Sequence, residues 1–403
     1  MALPVASAYT ADNKRQVYWA LAVLFIVVAI VIVLDGSNRE ASLNAAFGFI
    51  FGYILQRSRF CFAAGFRDVF MIRNTAVSRA ILLLIMLTSL GFFAVNFLRG
   101  GLLPDNGIIY PLGLHTVAGG LIFGFGMVIA GNCVSGCLMR MGEGYLMQWV
   151  TFIGLLLGSA LGAWNLSFWG PFSIESSPVV FIPDYLGWPG AIALYVSLIA
   201  ALYVLALWYE QGSLKTIKIK ALIPSSLLSG LKASAHSIVS GGNWSYALGA
   251  VALALTGTLL FGFWGKPAGI TSGLTHLAGW LSCRINLFPC DWYYFTELIY
   301  LESRRIYLEH PQLYFTFAII TGSLFASLLH REFRIRWPKS TKFILSALAG
   351  GTMLGYSSRV AMGCNFGGFW SGASSFSLHA WVFGLFILIG AYLGGKYFMR
   401  FLI

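Results

Sequence analysis

The chain has 403 residues, of which 58% are hydrophobic and 10% charged, and its 26 Lys and Arg outnumber 14 Asp and Glu to give a formal charge of +12 at pH 7. With a mean hydropathy of +0.78, this composition excludes a soluble globular domain, whose charged share is about 25%. The positive excess belongs first to topology, because Lys and Arg accumulate in the cytoplasmic loops of membrane proteins.

Apolar runs of the length that crosses a bilayer, about 20 residues, recur from end to end. The first, 17–35, follows Lys14 and Arg15 with no small-residue cleavage site behind it, so it reads as an anchor with a cytoplasmic tail. A shorter, Gly-interrupted run at 42–56 reads as a re-entrant segment. The basic stretch 57–79 (Arg57, Arg59, Arg67, Arg73, Arg79) contains Cys61 and leads into a span at 74–98. Further spans are expected at 115–131, 145–165 and 188–209. The polar segment 210–244, with Lys215, Lys218, Lys220 and Lys232, is too short to make its own core and reads as a linker. After it come a span at 245–263, a short Gly-interrupted run at 268–283, and spans at 311–330, 341–361 and 379–402. Basic residues return at 331–342 (Arg331, Arg334, Arg336, Lys339, Lys342) and at Lys396 and Arg400. The expected fold is an all-α polytopic membrane protein of about nine transmembrane helices plus short re-entrant helices. Its units are an N-terminal transmembrane repeat (1–210), a cytoplasmic basic linker (211–244) and a C-terminal transmembrane repeat (245–403).

One stretch occurs twice. Residues 118–136 read AGGLIFGFGMVIAGNCVSG and residues 349–367 read AGGTMLGYSSRVAMGCNFG. Ala118, Gly119, Gly120, Gly124, Ala130, Cys133 and Gly136 recur as Ala349, Gly350, Gly351, Gly355, Ala361, Cys364 and Gly367. Each copy is a glycine-rich helix running into a cysteine at a break. Interrupted helices at matching positions of two halves point to a transport site. The basic loops 57–79, 215–232 and 331–342 fall in the cytoplasm and the loops 99–114, 165–187 and 285–310 outside. With 268–283 re-entrant, 115–131 then runs inward and 341–361 outward, which makes the halves inverted repeats. That arrangement brings Cys133 and Cys364 toward the midplane from opposite sides and leaves Cys61 apart, at the basic side.

The six cysteines are Cys61, Cys133, Cys137, Cys283, Cys290 and Cys364. None forms a C-x-x-C pair and none has a His at zinc-finger spacing, so neither metal nor cofactor is expected. A buried Cys is ordinarily a small hydrophobe; the repeat sets Cys133 and Cys364 apart from that reading. At their breaks, Asn132, Ser135 and Gly136 in one copy and Asn365 and Gly367 in the other form polar, Gly-containing turns. Freed backbone N–H groups there, at the positive end of a new half-helix, favour an anion. Arg359 is a charge inside an apolar segment and therefore a functional candidate. Arg140 and Glu143, in R-M-G-E-G, are expected to pair locally at a helix end.

The stretches R-S-R-F-C-F-A-A-G-F-R-D (57–68), 119–136 with R-M-G-E-G (140–144), and S-R-V-A-M-G-C-N-F-G-G-F-W-S-G (358–372) with S-F-S-L-H-A-W (375–381) resemble the YeeE/YedE family of inner-membrane proteins. The best-understood members of that family take up thiosulfate. The resemblance implies a bacterial inner-membrane permease whose substrate path is lined by Cys61, Cys133 and Cys364. It also implies a cytoplasmic sulfur-carrier partner of the TusA type. Cys137, Cys283 and Cys290 match no cysteine of the family, and L-I-Y-L-E-S (298–303) is similar to the YedE subgroup linked to selenium metabolism.

The chemistry of the thiols agrees with a sulfur-bearing anion. Thiosulfate offers oxygens to N–H and hydroxyl donors and a terminal sulfur to S–H groups, and neutral thiols do not repel a dianion. Several weak contacts in series also suit a path that must release what it binds. The expected substrate-binding residues are Cys61, Cys133, Cys364, Asn132, Ser135, Gly136, Asn365, Gly367 and Arg359. Two other readings stay open on the residues: transport of a selenium compound or another reduced sulfur species, and a membrane thiol oxidoreductase or sulfurtransferase. The absence of C-x-x-C, of a base beside Cys133 or Cys364 and of a soluble domain counts against an enzyme. Nothing in the composition suggests a nucleic-acid partner.

Overall fold

The structure is a computed structural model that describes residues 6–99, 107–212, 242–285, 292–295, 310–338 and 340–401. Cys290, Lys215, Lys218, Lys220, Lys232, Lys339, the 298–303 motif and residues 213–241 of the linker lie outside the described residues. In chain order the helices are α1 (Ala6–Ser37), α2 (Arg39–Ser58), α3 (Phe62–Met71), α4 (Ala76–Leu98), α5 (Leu114–Ile129), α6 (Val134–Gly142), α7 (Leu146–Trp169), α8 (Ile182–Gln211), α9 (Tyr246–Trp264), α10 (Thr271–Arg284), α11 (Pro311–Leu329), α12 (Thr341–Val360) and α13 (Leu378–Phe401). A π-helical segment, Asn365–Ser371, separates the last two and passes into the short turn Gly372–Ser374. The expected all-α polytopic architecture is present.

Eight stretches are long and apolar enough to cross a membrane: 15–37, 76–98, 114–142, 146–174, 182–211, 246–264, 311–329 and 378–397. The expected span at 341–361 is the 20-residue helix α12. Its Gly, Ser and Arg content keeps it out of that group, and it is packed by α7 and α5, so protein rather than lipid surrounds much of it. The run at 42–56, expected to be re-entrant, belongs instead to the continuous 20-residue helix α2. Gly48 and Gly52 do not break it; they let the backbone of α11 approach at Phe315 and Ile319. The run at 268–283 becomes α10, whose 14 residues reach about 21 Å, short of the hydrocarbon core.

Four breaks organise the interior, and each begins with a residue in the left-handed conformation: Arg59 (φ 53), Gly131 (φ 75), Gly265 (φ 85) and Met362 (φ 57). Glycine adopts this conformation freely, whereas Arg and Met hold it against a steric preference. Gly131 and Met362 occupy equivalent positions of the repeated sequence, so the turn is kept even where the glycine is not. A short helical segment follows each break: α3, α6, α10 and Asn365–Ser371.

The packing pairs match between the halves. α7 lies along α12, with Gly154, Gly158 and Gly162 facing Leu348, Thr352 and Tyr356; α13 lies along α5, with Gly120 and Gly124 under Phe383 and Ile387. α2 packs on α11 as α4 packs on α9, and α10 touches α7 as α3 touches α13. Lipid offers no hydrophobic drive for such contacts, so close backbone approach and hydrogen bonds hold them. The repeated helices α5 and α12 cross antiparallel: Gly119 meets Ala361, Gly126 meets Gly350, and the Ser346 hydroxyl donates to Ile129 O at 2.8 Å. Arginine-bearing segments from both halves converge at one end, where Tyr145 pairs with Arg336 and Arg59 reaches Glu332.

Candidate functional site

Two thiol-bearing centres are built at the breaks. In the first, Cys61 caps α3 in an extended conformation, and its carbonyl accepts from the N–H groups of Ala64 and Gly65 at 3.1 and 3.3 Å. Cys133 caps α6, and its sulfur does what a Ser or Asp oxygen ordinarily does, accepting from Gly136 N–H at 3.4 Å. The N-terminal ends of α3 and α6 thereby bring the sulfurs of Cys61 and Cys133 to 4.0 Å. The Cys61 thiol donates to Asn132 Oδ1 at 3.8 Å, and Ser135 Oγ lies 3.3 Å from the Cys133 sulfur. A β-carbon at Gly136 would come within 3.0 Å of the Cys61 sulfur, so glycine there keeps the pair together. Cys61, Asn132, Cys133, Ser135 and Gly136 therefore form one buried cluster. Cys61 does not lie apart as expected; it is the direct neighbour of Cys133. Sequence distance hid this: the starts of α3 and α6 meet although 72 residues separate the two cysteines.

The second centre lies around Cys364, which caps the π-helical segment and accepts at its carbonyl from Gly368 and Phe369 N–H. Unlike Cys133, its sulfur makes no cap hydrogen bond, and the Thr271 side chain lies near it. Thr271 begins α10, so it stands to Cys364 as Cys61 stands to Cys133. Arg359 donates to Thr271 Oγ1 at 2.6 Å and to Tyr294 Oη at 2.9 Å, and its guanidinium lies 5.5 Å from the centre of the Tyr294 ring. It is 4% exposed, and no carboxylate among the described residues pairs with it. Its Nε has no partner in the described structure. A buried cation whose described partners are neutral hydroxyl acceptors favours an anion beside it. A cavity of about 230 Å³ opens next to it, bounded by Tyr110, Ser272, Tyr294, His310 and Gln312 among others. Burial, with Lys266 and Arg359 nearby, pulls the His310 imidazole down to about 4. His310 is thus neutral near pH 7, and Arg359 is a cation that lines the cavity.

Gly367 packs toward Gly269 at the break before α10, and Ser371 Oγ donates to Ala268 O at 2.8 Å. Asn365 Nδ2 reaches Met127 Sδ at 3.6 Å, while its buried Oδ1 has no partner among the described residues. Phe62, next to Cys61, and Phe366, two residues after Cys364, meet edge to face at 6.2 Å, and Phe366 lies against Trp370 at 4.6 Å.

Thr271, Tyr294 and the cavity-lining His310 and Ser272 were not singled out by sequence reasoning, because the repeat does not extend to α10. The expected Arg140–Glu143 pair is absent. Glu143 instead binds Arg59 at 2.8 Å, and Arg140 lies over the Tyr145 ring at 5.2 Å. The reason is geometric: Glu143 ends α6 beneath Cys61, where the left-handed turn presents Arg59. Burial raises the Glu143 carboxyl above its ordinary value, against the pull of Arg59, Arg140 and Arg336. Cys137 donates to Gln148 O at 3.2 Å, a structural bond away from both centres. Among the described residues no group of His, Cys, Asp and Glu is arranged to hold a metal ion.

Comparison with known proteins places these residues in a wider setting. The family model described as sulphur transport matches residues 57–393. The chain is 27% identical over 351 residues to the thiosulfate transporter TsuA of Escherichia coli K12, covering 86% of this chain and 91% of that one. It is 30% identical over 354 residues to the thiosulfate transporter TsuA of Spirochaeta thermophila, covering 85% and 94%. It is 27% identical over 199 residues to the probable transporter YedE of Escherichia coli K12, covering 49% and 48%.

Proposed function

The chain belongs to the sulphur transport family, and on that premise we propose that it is a multi-pass permease that carries thiosulfate through the bacterial inner membrane into the cytoplasm. The observation that carries the proposal is the buried Arg359, with no carboxylate partner among the described residues, near Cys364 and a cavity of about 230 Å³. The anion's oxygens are taken by Arg359, Thr271 and the first N–H groups of α10, whose helix end is positive. Its terminal sulfur is turned to Cys364. From there it passes the Phe62–Phe366 constriction to the Cys61–Cys133 pair. The stations are then Cys364 first and the paired thiols second, with Asn365, Gly367, Asn132, Ser135 and Gly136 shaping the turns at each.

The antiparallel crossing of α5 and α12 supports an organisation into two inverted repeats joined by the basic linker. The arginine-rich end, where Cys61 and Cys133 lie, faces the cytoplasm by charge. A sulfur-carrier protein of the TusA type is the partner that would receive the anion there. The thiol groups act as hydrogen-bond donors, and no chemical step on the anion is part of the proposal.

Proteoliposomes containing the full chain should accumulate labelled thiosulfate, and unlabelled selenite should compete weakly. Accumulation of labelled selenite in preference to thiosulfate would move the assignment to a selenium substrate. No accumulation of either by folded protein would overturn it.

A further inference from the structure

On the arginine-rich side of the Cys61–Cys133 pair lies a cluster that the transport path does not itself require. Arg59 places its two guanidinium arms on two different carboxylates, Glu143 Oε1 at 2.8 Å and Glu332 Oε2 at 2.9 Å. Gln56 Nε2 donates to the same Glu332 oxygen at 2.9 Å and to Glu143 Oε1 at 3.4 Å, and Arg57 reaches Glu332 Oε1 at 3.4 Å. The cluster therefore ties the end of α2 to the end of α6 and to the loop that follows α11, joining elements from both halves. It is asymmetric in depth: the Glu143 side chain is 4% exposed, whereas those of Arg59 and Glu332 are 38% and 30% exposed. One face is sealed against protein and the other meets water.

Its position relative to the thiols is direct. Arg59 is two residues before Cys61, and Glu143 closes the helix that Cys133 opens. Arg59 is also the residue held at φ 53, so the turn that aims Cys61 inward is the turn the ion pairs hold. Both sulfurs are buried.

We propose that Arg59, clasped between Glu143 and Glu332, is the cytoplasmic-side gate of the thiol path. The inference rests on the reading of the Cys61–Cys133 pair as the inner end of that path. Closed, the guanidinium is saturated by carboxylates, and the way out presents negative charge. A dianion on the thiols repels Glu143 and Glu332 and attracts Arg59. Exchange of a carboxylate for the anion releases the clasp, and the left-handed turn at Arg59 relaxes and draws Cys61 with it. When the anion leaves for water the carboxylates return. Charge-assisted pairs have the strength for such a latch, and the half-exposed face supplies the water that lets them exchange.

The test reads closure without relying on uptake. In inside-out membrane vesicles holding the full chain, a membrane-impermeant maleimide is applied from the cytoplasmic face and modification of Cys61 is followed by peptide mass spectrometry. The wild-type rate should be slow, and Glu143→Gln and Glu332→Gln, which keep shape and one hydrogen bond, should each raise it on the order of tenfold by populating the open form. Arg59→Glu should do the same, and the reversal Arg59→Glu with Glu143→Arg should bring the rate back toward wild type. Unchanged labelling in both Gln variants, or a reversal that stays fast in a folded protein, overturns the gate. Thiosulfate uptake measured in parallel separates the two readings. Uptake with unresponsive labelling leaves a permease without this gate. Responsive labelling without thiosulfate uptake leaves the gate and removes the cargo.

Discussion

Cys61 and Cys133 are 72 residues apart in sequence, yet their sulfurs sit 4.0 Å apart because each opens a short helix and the two helix starts meet. Contacting residues couple energetically, so the pair should behave as one unit. Cys61→Ser and Cys133→Ser should each impair thiosulfate uptake, and the double variant should fall little further than the worse single one. Cys364→Ser combined with either should lower uptake more than any one change. Initial rates in proteoliposomes at matched protein content decide it, and independent, multiplying effects of Cys61→Ser and Cys133→Ser would refute the unit.

Among the described residues Arg359 has hydroxyl partners and no carboxylate, and that predicts an unusual separation of function from stability. Removing a partner from a buried ion pair strands a charge and costs about 3–5 kcal/mol, a penalty absent here. Arg359→Gln should leave the melting temperature in detergent within a few degrees of wild type. The apparent KM for thiosulfate should rise on the order of tenfold to a hundredfold, the loss of one or two charge-assisted bonds to an anion. A variant that loses folding and transport together would show Arg359 to be structural.

Backbone contact between α7 and α12 makes its own prediction. A β-carbon on Gly355 would strike the Leu155 carbonyl and the backbone around Ser159. Gly355→Ala should destabilise the protein by about 1–3 kcal/mol through overpacking, read as a lower melting temperature. Gly131→Ala meets open space and should cost only about 1 kcal/mol, from the left-handed conformation alone.

His310 supplies a dependence on pH. Its folded value near 4, set by burial first and then by Lys266 and Arg359, lies below the unfolded value near 6.5. Between those limits the unfolded chain binds the proton better, so stability rises with pH across that window and is lost as acid protonates the group. The melting temperature should fall as pH goes from 6.5 to 4, and His310→Gln should flatten part of that fall. An identical slope in the variant would remove His310 from the balance.

The parts of the site that were legible in the sequence are those that repeat or break a pattern. Cys133 and Cys364 stood out because each ends a glycine-rich helix of the same spelling, and Arg359 because it is a charge in an apolar run. The closeness of Cys61 to Cys133 was not legible, since α3 is a short helix flanked by arginines that read as topogenic. Thr271 carried no signal at all: α10 has no recognisable sequence match to α3, although the two occupy equivalent places. Glu143 was misassigned because the eye pairs it with Arg140 three residues away, whereas the fold brings Arg59 from 84 residues away. Gly48 and Gly52 show the reverse error, in which glycines that look like a break are a packing surface.

Thr271 occupying the place opposite Cys364 that Cys61 occupies opposite Cys133 makes the two halves chemically unequal. One centre offers a guanidinium, two hydroxyls and a single thiol; the other offers two thiols with an amide and a hydroxyl beside them. In the language of hard and soft donors, the proposed path begins hard and ends soft. An oxyanion made only of oxygen can be held well at the first centre and gains nothing by moving to the second, so it goes back the way it came. An anion with one soft end can turn from oxygen contacts to sulfur contacts and keep moving. Discrimination then resides in the step between the centres, and sulfate is expected as a visitor to the molecule rather than a passenger through it.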